Sequence, residues 1–193
     1  MQRKSLWFGI LLCALGACAT TPPGPPEEVA PRITAALDAG RTKEADELFA
    51  ASASDEGASE QIYPLLYEEA HGRYQKGESE PSARILRFMA RRYPKARAVR
   101  EALVYALFLE RAASDPPNPE LVQEIGTAVG DLRKSGGVVP TWIGLVEAQL
   151  AIDRGEPHAA REVFAGFKQA WDGQPDELTV YVEDIDRYLT SHP

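Results

Sequence analysis

Three glycines open the same short phrase. Gly40 is followed by Ala45 and Phe49, and Gly155 by Ala160 and Phe164, at identical offsets. Gly77, Ala83 and Phe88 form a looser copy between them. Glycine reaches the left-handed conformation that ends a helix at little cost. An alanine soon afterwards lets the next helix approach the first closely. The phenylalanine a turn further on lies on the same face and fills the space between neighbouring pairs. Gly40 to Gly77 is 37 residues, and Gly77 to Gly155 is 78, two steps of 39. The break missing from the series falls at Ser114 to Pro119, where Asp-Pro-Pro-Asn-Pro replaces glycine. The chain is therefore expected to be all-α, with about four antiparallel helical hairpins at a period near 38 residues.

The rest of the sequence fits that expectation. No convincing period-two alternation occurs; Val138-Val139 and Val180-Tyr181-Val182 are β-rich but too short to count. The spacing predicts helices near 28–39, 42–53, 59–76, 80–93, 96–113, 119–134, 141–154 and 157–171. The run from Ala102 to Leu109 is apolar around most of a helix and should be covered on several sides. A last helix, about 176–190, carries Leu178, Tyr181, Val182, Ile185 and Leu189 on one face and charges on the other, as a terminal cap needs. Hydrophobic residues are 44% and charged residues 26%, a globular composition.

Glycine, alanine, phenylalanine and a closing proline at these offsets resemble the tetratricopeptide repeat. Tyr93-Pro94 and Gly173-Gln174-Pro175 look like its closing prolines, and Trp142-x2-Leu145 like its opening, about two residues early. The period exceeds the family's 34 residues, and the first hairpin has no closing proline. The resemblance covers roughly residues 28–173. It implies a right-handed stack of hairpins over 28–193 whose first helices line a concave face for protein partners.

The N-terminus carries a different signal. Arg3 and Lys4 precede an almost unbroken apolar run of 14 residues from Leu6 to Ala19. That run is too short to cross a hydrocarbon core of ~30 Å as a helix. Leu15-Gly16-Ala17-Cys18 resembles the lipobox of bacterial lipoproteins. The resemblance implies a signal peptide over 1–17, cleavage between Ala17 and Cys18, and fatty acylation of Cys18. Ala19, where many members retained at the inner membrane carry aspartate, points to the outer membrane. Acyl chains contribute about 0.8 kcal/mol per buried CH₂, so two or three make a lasting anchor. Residues 18–27 follow as a Pro-rich tether, with four prolines between Pro22 and Pro26 expected to stay extended.

Composition and motifs limit the chemistry. Without Arg3 and Lys4, 19 basic residues face 29 acidic ones, a net charge of 19 − 29 = −10, which argues against nucleic acid as a partner. Cys13 leaves with the leader and Cys18 takes lipid, so no thiol pair remains for a disulfide or a zinc site. Glu68-x-x-His71 has the spacing of a di-iron ligand pair but no second copy, so no metal is expected. His158 and His192 have no partner pattern. A Gly-x-Ser-x-Gly elbow and a phosphate-binding Gly-rich loop are both missing. The expectation is a non-enzymatic chain without a cofactor.

Two surfaces are candidates for partner binding. Arg84, Arg87, Arg91, Arg92, Lys95, Arg97 and Arg100 form a basic tract with no acid until Glu101. Its first three members share a helix face and suit acidic headgroups, anionic polymers or an acidic protein patch. The alternative is a solvated face neutralised by neighbouring acidic hairpins. The second candidate is the stripe Tyr63, Tyr67 and Tyr74, with His71 between, on the first helix of the second hairpin. Tyrosine gives large contact area at low entropic cost. The alternative is that these rings are core. Together these features point to an envelope adaptor. A pilotin-like assembly factor for a secretion or pilus complex is a more specific version. A small-ligand-binding or enzymatic envelope protein is the rival of another class, and it requires an enclosed pocket.

Overall fold

The computed structural model describes residues 24–53, 57–171, 173 and 177–192. The leader 1–17, its cleavage residues Ala17 and Cys18, tether residues 18–23 and the closing Gln174-Pro175 lie outside the described residues. Among the described residues there are nine helices and no strand. They are α1 (Pro26–Asp38), α2 (Thr42–Ser52), α3 (Ala58–Gln75), α4 (Ser79–Arg92), α5 (Arg97–Ala112), α6 (Pro119–Lys134), α7 (Ile143–Asp153), α8 (Pro157–Ala170) and α9 (Thr179–Ser191).

The glycine turns share one hydrogen-bond pattern. Gly40, Gly77 and Gly155 have φ of 71°, 79° and 73°. In each case the glycine N–H bonds to the carbonyl three residues back: Leu37 at 3.0 Å, Tyr74 at 2.8 Å and Ile152 at 2.9 Å. The next N–H reaches five residues back, to Ala36, Arg73 and Ala151 at 2.8, 3.0 and 2.9 Å. This paired closure satisfies carbonyls that the helix end would otherwise orphan, and it requires the left-handed residue in the middle. The alanines that follow, Ala45, Ala83 and Ala160, are all 0% exposed. Phe49, Phe88 and Phe164 are buried.

At the break without glycine, α6 starts by other means. The Asn118 side chain accepts from the Glu120 N–H at 2.9 Å, and Pro119 takes the first helical position. Leu121, Val122, Ile125, Val129 and Leu132 form its buried face.

Three helix starts differ from the sequence expectation, and the last helix begins at Thr179, where about 176 was expected. α1 begins at Pro26, so Pro26 and Glu27, read as tether, are its first turn. Proline lacks only an N–H that a first turn leaves unpaired anyway, and Glu27 and Glu28 suit the positive end of the helix. α7 begins at Ile143 because Thr141 and Trp142 are spent in a turn, with the Ile143 N–H on the Pro140 carbonyl at 3.1 Å.

Each glycine or proline break joins an antiparallel pair: α1/α2, α3/α4, α5/α6 and α7/α8. The pairs are linked in turn. α1 packs on α3 and α4, α4 lies along the whole of α5, and α6 meets α7 more lightly. α5 contributes Val104, Ala106, Leu107 and Phe108 to the core, on the sides covered by α4, α6 and α9. α9 packs on α7 and α8, with Val182, Ile185 and Leu189 buried along it and Leu178 buried just before its first turn. It does more than cover an end: Tyr181 meets Phe108 of α5, ring centroids 5.0 Å apart. The start of α9 thus reaches the middle of the stack.

Candidate functional site

The joint between the first two hairpins is filled. Phe49 of α2 meets Phe88 of α4 edge to face at 5.8 Å and Tyr93 at 5.6 Å. Tyr93 donates its hydroxyl hydrogen to the Ser59 carbonyl at 2.7 Å and stands edge-on to Tyr63 at 5.0 Å. Burial pushes the Tyr93 hydroxyl up to about 12. On the surface of the same joint, the Arg73 guanidinium forks onto both oxygens of Asp38 at 2.5 and 2.8 Å and also reaches Glu69 at 2.7 Å. The hydrogen bonds from Arg73 hold the Asp38 carboxyl below its ordinary value.

The joint between α3 and α5 is open. These two helices share no extensive packing, and a groove of about 710 Å³ runs between them. Tyr67, His71 and Tyr74 line it from α3, and Ala98, Glu101, Ala102 and Tyr105 from α5. Ser82 and Leu86 of α4 form its floor, where the Ser82 hydroxyl is satisfied by the Ala70 carbonyl at 2.8 Å. Trp142, Glu177 and Leu178 close one end.

The aromatic groups run as a connected row. Tyr74 stands perpendicular to Tyr105 at 5.3 Å, and Tyr105 perpendicular to Trp142 at 5.4 Å. His71 tilts against Tyr74 at 5.5 Å, and its Nε2 pairs with Gln75 at 3.0 Å instead of facing a carboxylate. The Tyr74 hydroxyl donates to Glu177 Oε2 at 2.6 Å, across 103 residues of sequence. Burial raises the pKa of Tyr67, Tyr74 and Tyr105. The neighbouring carboxylates push the same way, Glu101 at Tyr67 and Glu177 at Tyr74 and Tyr105.

The stripe expected on α3 therefore divides. Tyr67, His71 and Tyr74 come together at the groove. Tyr63 stacks on Tyr67 at 6.0 Å but turns towards Tyr93 and the filled joint. Neither Tyr67 nor Tyr74 is fully buried, although Ile62, Leu66 and Ala70 beside them are.

The basic tract is tied into the chain. Arg84 holds Glu80 at 2.5 and 2.7 Å and donates to the Asp38 carbonyl at 3.0 Å. Arg87 forks onto Glu124 of α6 at 2.6 and 2.8 Å and touches Glu110 of α5 at 3.3 Å. At Glu110 burial outweighs the pull of Arg87 and raises the carboxyl. Arg92 lies 2.6 Å from Asp46, though the pair lacks the alignment of a hydrogen bond, and Arg97 pairs with Glu101 at 2.7 Å. Arg100 donates to the Pro94 and Asp131 carbonyls. Arg91 is exposed, with its guanidinium 5.9 Å over the Phe88 ring. Arg87 and Arg92 thus tie one hairpin to the next, while Arg91 and Lys95 are exposed and form no ion pair with a described residue.

Among the described residues, no group of three His, Cys, Asp or Glu could hold a metal ion, so Glu68 and His71 recruit no further ligand. No described helix is long and apolar enough to cross a membrane. Four groove residues escaped the sequence reading: Glu101, Tyr105, Trp142 and Glu177. Tyr105 sits in an apolar run and Trp142 in a repeat opening, so both read as packing. No protein-family description matches the chain, and neither a curated protein nor a solved structure matches it.

Proposed function

We propose that this chain is a lipid-anchored adaptor of the bacterial envelope, a tetratricopeptide-like right-handed stack that docks another envelope protein in the groove between α3 and α5. The observation that carries the reading is the groove itself: a solvent-open channel of about 710 Å³ lined by Tyr67, Tyr74, Tyr105 and Trp142. These rings are partly buried, neither sealed in the core nor fully exposed, and aromatic side chains lining an open groove in this way serve as anchors for partners. The channel is open, and its only histidine faces Gln75, which favours docking over an enclosed catalytic pocket. The anchor half of the reading rests on the Leu15-Gly16-Ala17-Cys18 motif and its apolar leader. Outer-membrane placement rests on Ala19.

Two experiments test it. A photocrosslinking residue in place of exposed His71 should give a discrete adduct in intact cells. The same residue in place of Val138, 90% exposed and far from the groove lining, should not. Equal labelling at both sites, or none at His71, contradicts the docking face. Mass spectrometry of the mature protein should find an acylated N-terminal Cys18; a product that keeps residues 1–17 contradicts the anchor.

A further inference from the structure

We infer that the groove between α3 and α5 receives an arginine side chain of a basic peptide segment in the partner. This rests on the groove being a docking face and adds the chemistry of what docks. Two carboxylates stand in its wall, Glu101 on α5 and Glu177 ahead of α9, and among the described residues no lysine or arginine lines it. Arg97 takes one oxygen of Glu101, but its other N–H groups go to the Ser135 hydroxyl at 3.3 Å and the Val138 carbonyl at 2.5 Å, outside the lining. Glu177 accepts from the Tyr74 hydroxyl, a neutral donor that leaves its charge in place, and no described Lys or Arg forms an ion pair with it.

The aromatic walls reinforce that field. The faces of Tyr and Trp carry the negative side of the ring quadrupole and attract cations. Tyr74, Tyr105 and Trp142 stand at 85° and 86° to one another, so ring faces and edges alternate around the channel. A guanidinium suits this better than an ammonium, because it stacks flat on a ring while forking onto a carboxylate. Burial is the main cause that raises the Tyr67 and Tyr105 hydroxyls, and Glu101 and Glu177 add to it in the same direction. Tyr67 to Tyr74 spans roughly 10 Å of helix at 1.5 Å per residue. A channel that long, with a volume of about 710 Å³, takes several residues of peptide, where a single small cation would leave it mostly empty.

The test is a calorimetric titration of the full chain in detergent with three probes. One is a blocked hexapeptide, alanine-leucine-arginine-leucine-arginine-alanine. The second replaces both arginines with citrulline, a neutral isostere, and the third is tetramethylammonium chloride. The arginine peptide should bind roughly tenfold or more tightly than the citrulline peptide, as charge-assisted pairing of this kind allows. Its affinity should fall as chloride rises. Glu177→Gln, which breaks no ion pair, should bring it towards the citrulline level, and Glu101→Gln with Glu177→Gln should complete the loss at unchanged helix content. Equal binding of arginine and citrulline peptides overturns the cation assignment while leaving the docking face intact. Binding of tetramethylammonium as tightly as of the arginine peptide overturns the peptide in favour of a small cation. If no probe binds, the inference fails, and the His71 crosslink decides separately whether the groove docks anything.

Discussion

At the joint between the first two hairpins, α1 lies on α3, and Phe49, Phe88 and Tyr93 fill the space behind. At the next joint on the same side, α3 faces α5 across a channel. The repeat is the same; the facing residues are not. α1 presents Val29, Ile33 and Leu37, and α3 answers with Ile62, Leu66 and Ala70, all buried. Across the channel α3 presents Tyr67 and Tyr74, while α5 offers Ala98, Glu101 and Ala102. Branched aliphatics interlock and exclude water, whereas phenols and a carboxylate need water or a polar partner and cannot be closed over cheaply. Tyr105 of α5 meets Tyr74, but beside the small Ala98 and Ala102 the rings leave a channel open to solvent. A helical stack thus becomes a receptor where its side chains stop interlocking.

The contrast can be broken in several places. Phe88→Ala empties the filled joint, where the ring is 0% exposed. It should lower the unfolding free energy by about 3–5 kcal/mol, measured by urea denaturation. Ala102→Leu, on the α5 wall of the open joint, should change stability by no more than about 1 kcal/mol while blocking peptide binding, because it fills existing space. A large destabilisation there would mean the channel is narrower than its lining indicates.

Arg73→Leu cuts the ionic clasp of the filled joint and should cost about 1 kcal/mol at neutral pH, given its two-oxygen grip on Asp38. The sign with pH follows from Asp38. Its folded pKa lies below the unfolded value, so the contribution is present above ~3.9 and is lost as pH falls through the folded value. The gap between wild type and variant should therefore close in acid. At the alkaline end the readout is Tyr93, whose folded pKa is raised from 10.0 to about 12. Its contribution is intact below pH 10 and declines as pH rises from 10.0 to about 12. Tyr93→Phe should remove that share of the alkaline loss, leaving the share of Tyr67, Tyr74, Tyr105 and Tyr181, which are raised as well.

Much of this architecture is legible in the sequence, because its signals are local. A glycine that needs positive φ, an alanine five residues on and a phenylalanine a turn later describe one turn completely, and α6 runs over 119–134 as its Asn-Pro start predicts. The groove is legible only by half. Tyr67, His71 and Tyr74 share one helix face, so spacing finds them. Glu101, Tyr105, Trp142 and Glu177 reach the same place from three other parts of the chain, and only the packing of α4 on α5 and the return of α9 bring them there. For the basic tract, neutralisation by neighbouring hairpins is legible in kind, but its partners Asp38, Asp46, Glu110 and Glu124 belong to other helices, so spacing alone does not name them.

The most direct test measures folding and docking on one variant. Tyr67→Ala with Tyr74→Ala should abolish the crosslinked adduct formed at position 71 in intact cells. The purified variant should keep its helix content and lose no more than about 2 kcal/mol of unfolding free energy, as partly buried rings allow. An unfolded domain would make these rings core, and an adduct that persists would place the partner elsewhere on the surface.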